Sequence, residues 1–211
     1  MPDKLSFWNS LKTCGDREYL QKNIAYATAP ILRGLKPAEL LSLQFQRKGC
    51  LTCFQKNKDS FFRALGLSFL EIRERENSLL LLIYDREQLE KRLAEIRQKA
   101  LLTSRGYLLE SSLDRVLAHL KSRFGRESFP HEVGLFLGYP EKDVASFIAL
   151  GGENFSYCRH WKVYHDVPEA KRTMLEIDAS RHAVITLLMR NLSMTYIAKT
   201  LKHTSGKEQI L

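Results

Sequence analysis

The stretch Ser128–Asp166, SFPHEVGLFLGYPEKDVASFIALGGENFSYCRHWKVYHD, decides how this chain is interpreted, and we call it the organising segment. Ser128 can cap a helix, Pro130 can occupy its first turn, and Gly138 can end it. Pro140 can begin a second helix, which the following glycine pair ends. Because so few residues join the two helices, they must turn sharply against each other.

An aromatic-rich run follows these helices and predicts a pair of short strands near residues 155–165. Alternate side chains of a strand face opposite ways. Trp161 and Val163 are therefore expected on one face, with Lys162 and Tyr164 on the other.

The organising segment supports a hypothesis of a binding pocket. His131 and Glu132 would lie at a helix N-terminus, where free N–H groups and the helix dipole favour an anion. Lys162 would add a positive charge, and the aromatic rings would supply a stacking wall. The candidate ligand-binding residues are His131, Glu132, Tyr139, Trp161, Lys162 and Tyr164. The alternative is that the aromatic side chains are core and that His131 merely caps or packs.

Working outward, residues 67–73 and 79–84 are strand-like and predict a hairpin. The second run, LLLLIY, is apolar on both faces, as expected for a central strand covered by helices. Upstream, the pattern predicts a helix over 16–29 that Pro30 stops and a helix over 38–45 that opens after Pro37. The polar stretch 47–60 between them and the hairpin is expected to be a loop.

The remaining segments are amphipathic helices, and no repeat or flexible linker interrupts them. The sequence therefore predicts an α+β fold. We expect a single domain over residues 1–211, with a frayed tail at 204–211. Its small β-sheet would comprise the hairpin near 67–84 and the strands near 155–165, flanked by helices.

Composition points to a cytoplasmic protein. The hydrophobic fraction is 44% and the charged fraction is 27%, which is usual for a globular chain. No apolar run is long enough to span a bilayer, and the first residues do not resemble a secretory signal. Four cysteines in a chain of this size are more typical of thiols in a reducing compartment than of a disulfide framework.

The net charge of +9 is concentrated in the first third of the chain. Residues 1–60 contain ten Lys and Arg against five Asp and Glu. A basic surface attracts polyanions, so one alternative function is a nucleic-acid-binding regulator. No motif for reading bases is visible, which predicts only weak and non-specific binding. The other interpretation is a solvated basic face.

Catalytic motifs are missing from the sequence. It has no phosphate-binding P-loop, no dinucleotide-binding glycine pattern and no nucleophile elbow. His131-Glu132 begins like a zinc-protease motif but has no second histidine one turn later. Whether the chain is an enzyme is left open, with a small acid–base enzyme using His131 and Glu132 as a second alternative function.

The spacing Cys50-x-x-Cys53 provides half of a zinc site. A structural zinc ion requires four thiolate or imidazole ligands, and the other close pair is Cys158 with His160. A single C-x-x-C pattern is weak support for a metal, so we predict none. Cys50, Cys53, Cys158 and His160 are retained as weak metal candidates, and a redox role of Cys50 and Cys53 stays open.

The string FPHEVGLFLGYPEKDV, followed by Cys-x-x-Trp-Lys-Val-Tyr, resembles an uncharacterised bacterial family, domain of unknown function 3793. The stretches APILRGLKPAELLSL and GLSFLEIRER…LLLLIY resemble it as well, so the similarity covers most of the chain. The resemblance implies no reaction. It implies a context in anaerobic redox or iron metabolism, because relatives are often encoded near flavodoxins or iron-uptake genes.

Together these observations favour a cytoplasmic accessory protein that binds a ligand or a partner. The partner implied by the resemblance is a protein of redox or iron metabolism, and no membrane contact is expected. The cofactor is unknown, since no residue pattern specifies one.

Overall fold

The structure is a computed structural model that describes residues 4–45, 49–96, 99–126 and 129–205. The strands are β1 (Ala38–Gln44), β2 (Ser68–Arg75), β3 (Ser78–Tyr84), β4 (Tyr157–Cys158) and β5 (Lys162–Val163). The helices are α1 (Lys4–Thr13), α2 (Asp16–Leu32), α3 (Cys50–Leu65), α4 (Arg86–Glu95), α5 (Lys99–Thr103), α6 (Leu113–Arg126), α7 (Val133–Phe136), α8 (Glu141–Ala149), α9 (Val167–Met189) and α10 (Met194–Ser205). The α+β fold class is confirmed.

The chain divides into two compact units. Unit 1 comprises Met1–Asp85 together with Glu176–Leu211, and unit 2 comprises Arg86–Leu175. The expectation of a single domain stays a prediction, and the two units are described separately below.

Unit 1 contains a three-stranded antiparallel sheet with the order β1-β3-β2. The predicted hairpin of β2 and β3 is confirmed, and a bulge lies between Glu71 and Arg73. Strand β3 is central and almost entirely buried, as its two-sided apolar pattern predicts.

The strand beside β3 on its other edge is β1, in a segment for which we predicted a helix opening after Pro37. That prediction was wrong. Leu41 pairs with Leu81, and the register runs from Ala38 opposite Tyr84 to Gln44 opposite Ser78. Without β1, a row of backbone N–H and C=O groups on β3 would lack partners, a larger cost than the modest helix propensity of AELLSLQ can offset.

Two further boundaries differ from the sequence-based expectation. The stretch 47–60 is not a loop, because α3 begins at Cys50; residues 46–48 lie outside the described part. Phe54, Phe61 and Leu65 recur at helical spacing and are buried, although the polar residues between them mask this pattern. Similarly, α2 does not stop at Pro30 but continues to Leu32. The proline removes only its own N–H, and the residues after it keep their backbone bonds, from Arg33 N–H to the carbonyl oxygen of Ala29 and from Gly34 N–H to that of Ile31.

The core of unit 1 is formed by residues of α1, α2, α3, α9 and α10 packed with the sheet. Its side chains are aromatic and aliphatic, and each fully buried one contributes about 1.5–3 kcal/mol to stability. Members include Phe7, Leu20, Ile24, Phe54, Phe62, Leu81, Ile83, Val184 and Ile197.

Unit 2 carries the organising segment. The helix expected between Pro130 and Gly138 is reduced to the four residues of α7, whereas α8 is confirmed close to its predicted bounds. The proposed Ser128 cap lies outside the described residues. Strands near 155–165 are confirmed, but they form a two-stranded hairpin of their own rather than joining the larger sheet. Its Val163 packs on Ala170 and Met174 of α9.

Candidate functional site

An open cavity of about 440 Å³ lies in unit 2, beside the start of α7. Its volume falls in the range of about 300–1,000 Å³ that is usual for small-molecule sites. Residues from several elements converge on it: the turn after α5, helix α6, the residues preceding α7, and helix α8. The lining side chains are Ser104, Arg105, Arg123, His131, Glu132 and Ile148.

Glu132 is the anchor of this cavity and is only 1% exposed. The Nε of Arg123 lies 2.5 Å from one carboxylate oxygen, Oε1, and the Nε of Arg105 lies 3.5 Å from the other, Oε2. The hydroxyl of Tyr107 donates a third contact to Oε1 at 3.2 Å. A buried carboxylate is tolerable because all of these donors surround it.

Tyr107 is itself buried, and its ring lies edge-on to His119 at 4.5 Å. Burial raises the pKa of the Tyr107 hydroxyl well above its usual value, and the negative charge and hydrogen bond of Glu132 raise it further. The tyrosine is therefore a neutral donor at every physiological pH. His119 is half-buried and places Nε2 at 2.8 Å from the carbonyl oxygen of Arg105.

The wall of the cavity has an excess of positive charge. Two guanidinium groups, of Arg105 and Arg123, face one carboxylate, of Glu132, which leaves one net positive charge among the three. The Nη1 of Arg105 also donates to the carbonyl oxygen of Leu101 at 3.0 Å, which fixes the direction of the guanidinium. Planar guanidinium groups held in this way match the geometry of carboxylate and phosphate oxygens.

His131 is exposed at the edge of the same cavity. Its ring packs edge-on to Phe147 at 4.9 Å and near Phe129 at 5.9 Å. Because α7 is only one turn long and begins at Val133, the extended helix N-terminus that we expected beside His131 does not form. The positive charge at the cavity comes instead from Arg105 and Arg123, which the sequence analysis did not single out.

Tyr139 and Trp161 form a second cluster, which stabilises the packing of the hairpin. Their rings stack at 5.2 Å with 24° between the planes. The indole Nε1 of Trp161 donates to Oδ2 of Asp143 at 2.9 Å, while Oδ1 accepts the backbone N–H groups of Tyr164 and His165 at 2.9 and 3.0 Å. Asp143, which is 2% exposed, thereby ties the hairpin to α8.

Lys162 and Tyr164 do not line the arginine cavity. The Nζ of Lys162 donates to the carbonyl oxygen of Gly152 at 2.7 Å and lies 4.6 Å from the ring centre of Phe155. It also lies 5.8 Å from the ring centre of Phe147. The same Phe147 ring packs against His131. The Tyr164 hydroxyl is buried without a hydrogen-bond partner among the described residues.

The candidate metal ligands divide between the units. Cys50 and Cys53 lie in the first turn of α3 in unit 1, whereas Cys158 and His160 belong to the hairpin of unit 2. None of the four cysteines forms a disulfide. Over the described ranges, no group of three or more His, Cys, Asp or Glu side chains is arranged to hold a metal ion.

Sequence reasoning missed Ser104, Arg105, Arg123 and Asp143. A signal existed for Arg123, because it lies three residues after Leu120 at the border of the apolar stripe of α6. Arg105 precedes Gly106 in an irregular turn, where no periodicity indicates the direction of a side chain.

Within the described part of the chain, none of the helices is sufficiently long and apolar to cross a membrane.

Comparison with known proteins places most of the chain in one family. Residues 24–198 match the family described as "Protein of unknown function (DUF3793)". The comparison with curated proteins gives no match, and the comparison with solved structures gives none either.

Proposed function

Because this chain belongs to the DUF3793 family, whose function is unknown, its role must be argued from its geometry, and we propose that it is a cytoplasmic protein that binds a small oxyanion. The ligand is a carboxylate or a phosphate group held in the arginine cavity of unit 2. A cytoplasmic location is supported by the four cysteines, which are present as thiols and suit a reducing compartment.

The observation that carries this proposal is the pairing of two arginines with one buried carboxylate at the wall of an open cavity. Glu132 holds both guanidinium groups in fixed directions but neutralises only one of their charges. The side chains of Arg105 and Arg123 are 24% and 16% exposed, so each remains accessible from the cavity. An incoming oxyanion therefore meets preorganised donors and loses little entropy in orienting them.

The same geometry supports binding better than acid–base catalysis. Both oxygens of Glu132 already accept contacts from arginine or tyrosine donors, so this carboxylate serves as an anchor. His131, exposed at the rim and close to Phe147, is placed to contact a bound ligand. Tyr139, Trp161, Lys162 and Tyr164 support the surrounding structure in this proposal.

A role beside redox or iron-metabolism partners remains a proposal that rests on the family context. It is compatible with an anion-binding accessory protein, since carboxylate and phosphate groups are common in cofactors and iron-chelating metabolites. The nucleic-acid alternative rests on the charge of residues 1–60 alone.

Titration of the full-length protein with inorganic phosphate and with succinate, followed by calorimetry, tests the proposal. We expect saturable binding of at least one of them with a stoichiometry of one. The Arg105→Gln variant should weaken it by about tenfold or more, because a charge-assisted hydrogen bond contributes about 1.5–3 kcal/mol. Arg115→Gln is the matched control, since Arg115 is an exposed arginine of α6 outside the cavity.

His131→Ala separates a ligand contact from a packing role. We expect weaker anion binding with a nearly unchanged melting temperature, because the ring is exposed. Equal binding by the wild-type, Arg105→Gln and Arg115→Gln proteins would show that the cavity is not the site.

A further inference from the structure

We propose that unit 1 contains a second, separate binding site, which takes a planar aromatic acid. A cavity of about 480 Å³ lies where α1, α2 and the first residue of α3 meet. This volume is again in the range of small-molecule sites. The site shares no residue with the arginine cavity and does not depend on the function proposed for unit 2.

One wall of this second cavity is a single face of α1. Trp8, Leu11 and Lys12 all line it, and their spacing of three and four residues places them on the same side of the helix. The Trp8 ring is held edge-on to Phe7 and to Tyr26, each at 5.2 Å, yet its side chain is 37% exposed. An indole that is fixed on one side and open on the other offers a rigid stacking surface.

The opposite wall is a single face of α2. Asp16, Tyr19 and Asn23 line the cavity at a spacing of three and seven residues. The Tyr19 hydroxyl donates to the carbonyl oxygen of Gln44 at 3.2 Å, which fixes its ring. The Nδ2 of Asn23 donates to the carbonyl oxygen of Tyr19 at 2.8 Å, which orients its amide. Two fixed aromatic rings with polar groups between them favour a flat ligand with a polar substituent.

Two charged side chains of opposite sign line this cavity, Asp16 and Lys12, and their positions indicate where a charged substituent would lie. A Cβ atom added to Gly49 would lie 2.7 Å from Oδ2 of Asp16, so this carboxylate lies against the residue that precedes α3. A negative charge is favoured there by the N-terminal end of the helix dipole. Lys12, an exposed residue in the last turn of α1, provides a cation at the rim of the cavity. An aromatic acid places its ring against Trp8 and Tyr19 and its carboxylate at Lys12.

Cys50 completes the cavity as the first residue of α3 and is almost fully buried. It serves here as a small, polarizable part of the wall, without forming a covalent bond.

Fluorine NMR of the full-length chain, labelled with 5-fluorotryptophan, tests the inference. The chain contains two tryptophans, one in each unit, so Trp161 provides an internal control. The probes are 2-naphthoate and its neutral counterpart 2-naphthylmethanol. We expect 2-naphthoate to shift the Trp8 signal in a saturable manner and to leave Trp161 unchanged.

A lysine variant tests whether Lys12 binds the carboxylate of the ligand. Lys12→Gln should weaken 2-naphthoate binding by about two- to fivefold, as expected for an exposed ion pair, and leave 2-naphthylmethanol binding unaffected. Lys4→Gln, which changes an exposed lysine of the same helix outside the cavity, should alter neither. The Trp8 response should persist in the Arg105→Gln protein, which separates this site from the arginine cavity.

Three results would overturn the inference. The first is a Trp8 signal that shows no saturable shift with 2-naphthoate, and the second is an equal shift of both tryptophan signals. The third is a Lys12→Gln protein that binds both probes as the wild type does, because the cation would then have no part in recognition.

Discussion

Replacing Glu132 with Gln should lower stability and raise anion affinity at the same time. Glu132 is the carboxylate that neutralises part of the charge of Arg105 and Arg123, and it is 1% exposed. Breaking a buried ion pair costs about 3–5 kcal/mol when the remaining charge is fully buried. Here two charges remain, but their side chains are 24% and 16% exposed, and Gln keeps one carbonyl oxygen as an acceptor. We therefore expect a smaller loss, of about 2–3 kcal/mol.

Urea unfolding at neutral pH measures the loss, with Glu90→Gln as a control because Glu90 is half exposed and forms an i,i+4 pair on α4. The control should change stability by at most about 0.5 kcal/mol. Calorimetry with phosphate measures the second effect. Removal of the Glu132 carboxylate, which competes with the ligand for both arginines, should tighten phosphate binding by about tenfold if one charge-assisted contact is gained.

The opposite signs of the two effects make the experiment decisive. Saturating phosphate should stabilise the Glu132→Gln protein more than the wild type, because stabilisation grows with the logarithm of ligand concentration over Kd. A variant that loses stability and also loses phosphate binding would refute the idea that Glu132 restrains the positive charge of the cavity. An unchanged free energy of unfolding would refute its role as the buried anchor.

The remaining predictions concern other parts of the chain. Burial lowers the pKa of Lys36 despite the nearby Glu39, so the stability of unit 1 should increase as pH rises from the lowered pKa towards 10.5. Lys36→Met should flatten this dependence in urea melts between pH 8 and 10. An unchanged slope of stability against pH would contradict the prediction. Asp143→Asn should lower the free energy of unfolding by about 2–4 kcal/mol and alter the fluorescence of Trp161, because the carboxylate accepts three hydrogen bonds from the hairpin. An unchanged Trp161 spectrum together with full stability would show that Asp143 does not hold the hairpin. Duplex DNA should bind weakly, with strong salt dependence and no sequence preference, and a sequence-selective footprint at physiological salt would favour the regulator instead.

The lowered pKa of Lys36 determines the direction in which stability changes with pH. Below both the folded and the unfolded pKa values, the lysine is protonated in each state, and its buried charge is then a cost. As pH rises through the folded value, the folded protein loses the proton first, so the stability increases until the unfolded value is passed. Removing the amine therefore removes a cost at neutral pH, in part offset by the lost contact with Glu39 at 2.9 Å.

Two residues of the arginine cavity could be predicted from the local sequence. His131 and Glu132 were selected because they follow a proline and precede an apolar segment, and the structure places both at the wall of one cavity. Their assigned chemistry was different, since the helix after them is a single turn and Glu132 points into a cluster of cations. Arg105 lies 27 positions before Glu132, and no local pattern links residues across that separation.

The sequence alone determined the elements whose apolar residues follow a clean period. The β2–β3 hairpin, the central position of β3 and helix α8 all follow from patterns within a single segment, because side-chain direction along a helix or strand is a local property. The family assignment also came from the order of residues, through the string around Phe129–Tyr139.

Tertiary structure decided which segments had to meet, and that choice overrode local preference in two places. The stretch 38–44 became a strand because the free edge of β3 required backbone partners, and the polar stretch from Cys50 became a helix because its phenylalanines could be buried in a shared core. Both candidate sites were likewise decided by tertiary structure. An arginine pair around one carboxylate, or two helix faces around one cavity, exists only after folding brings distant residues together, since their attraction acts through space and not along the chain.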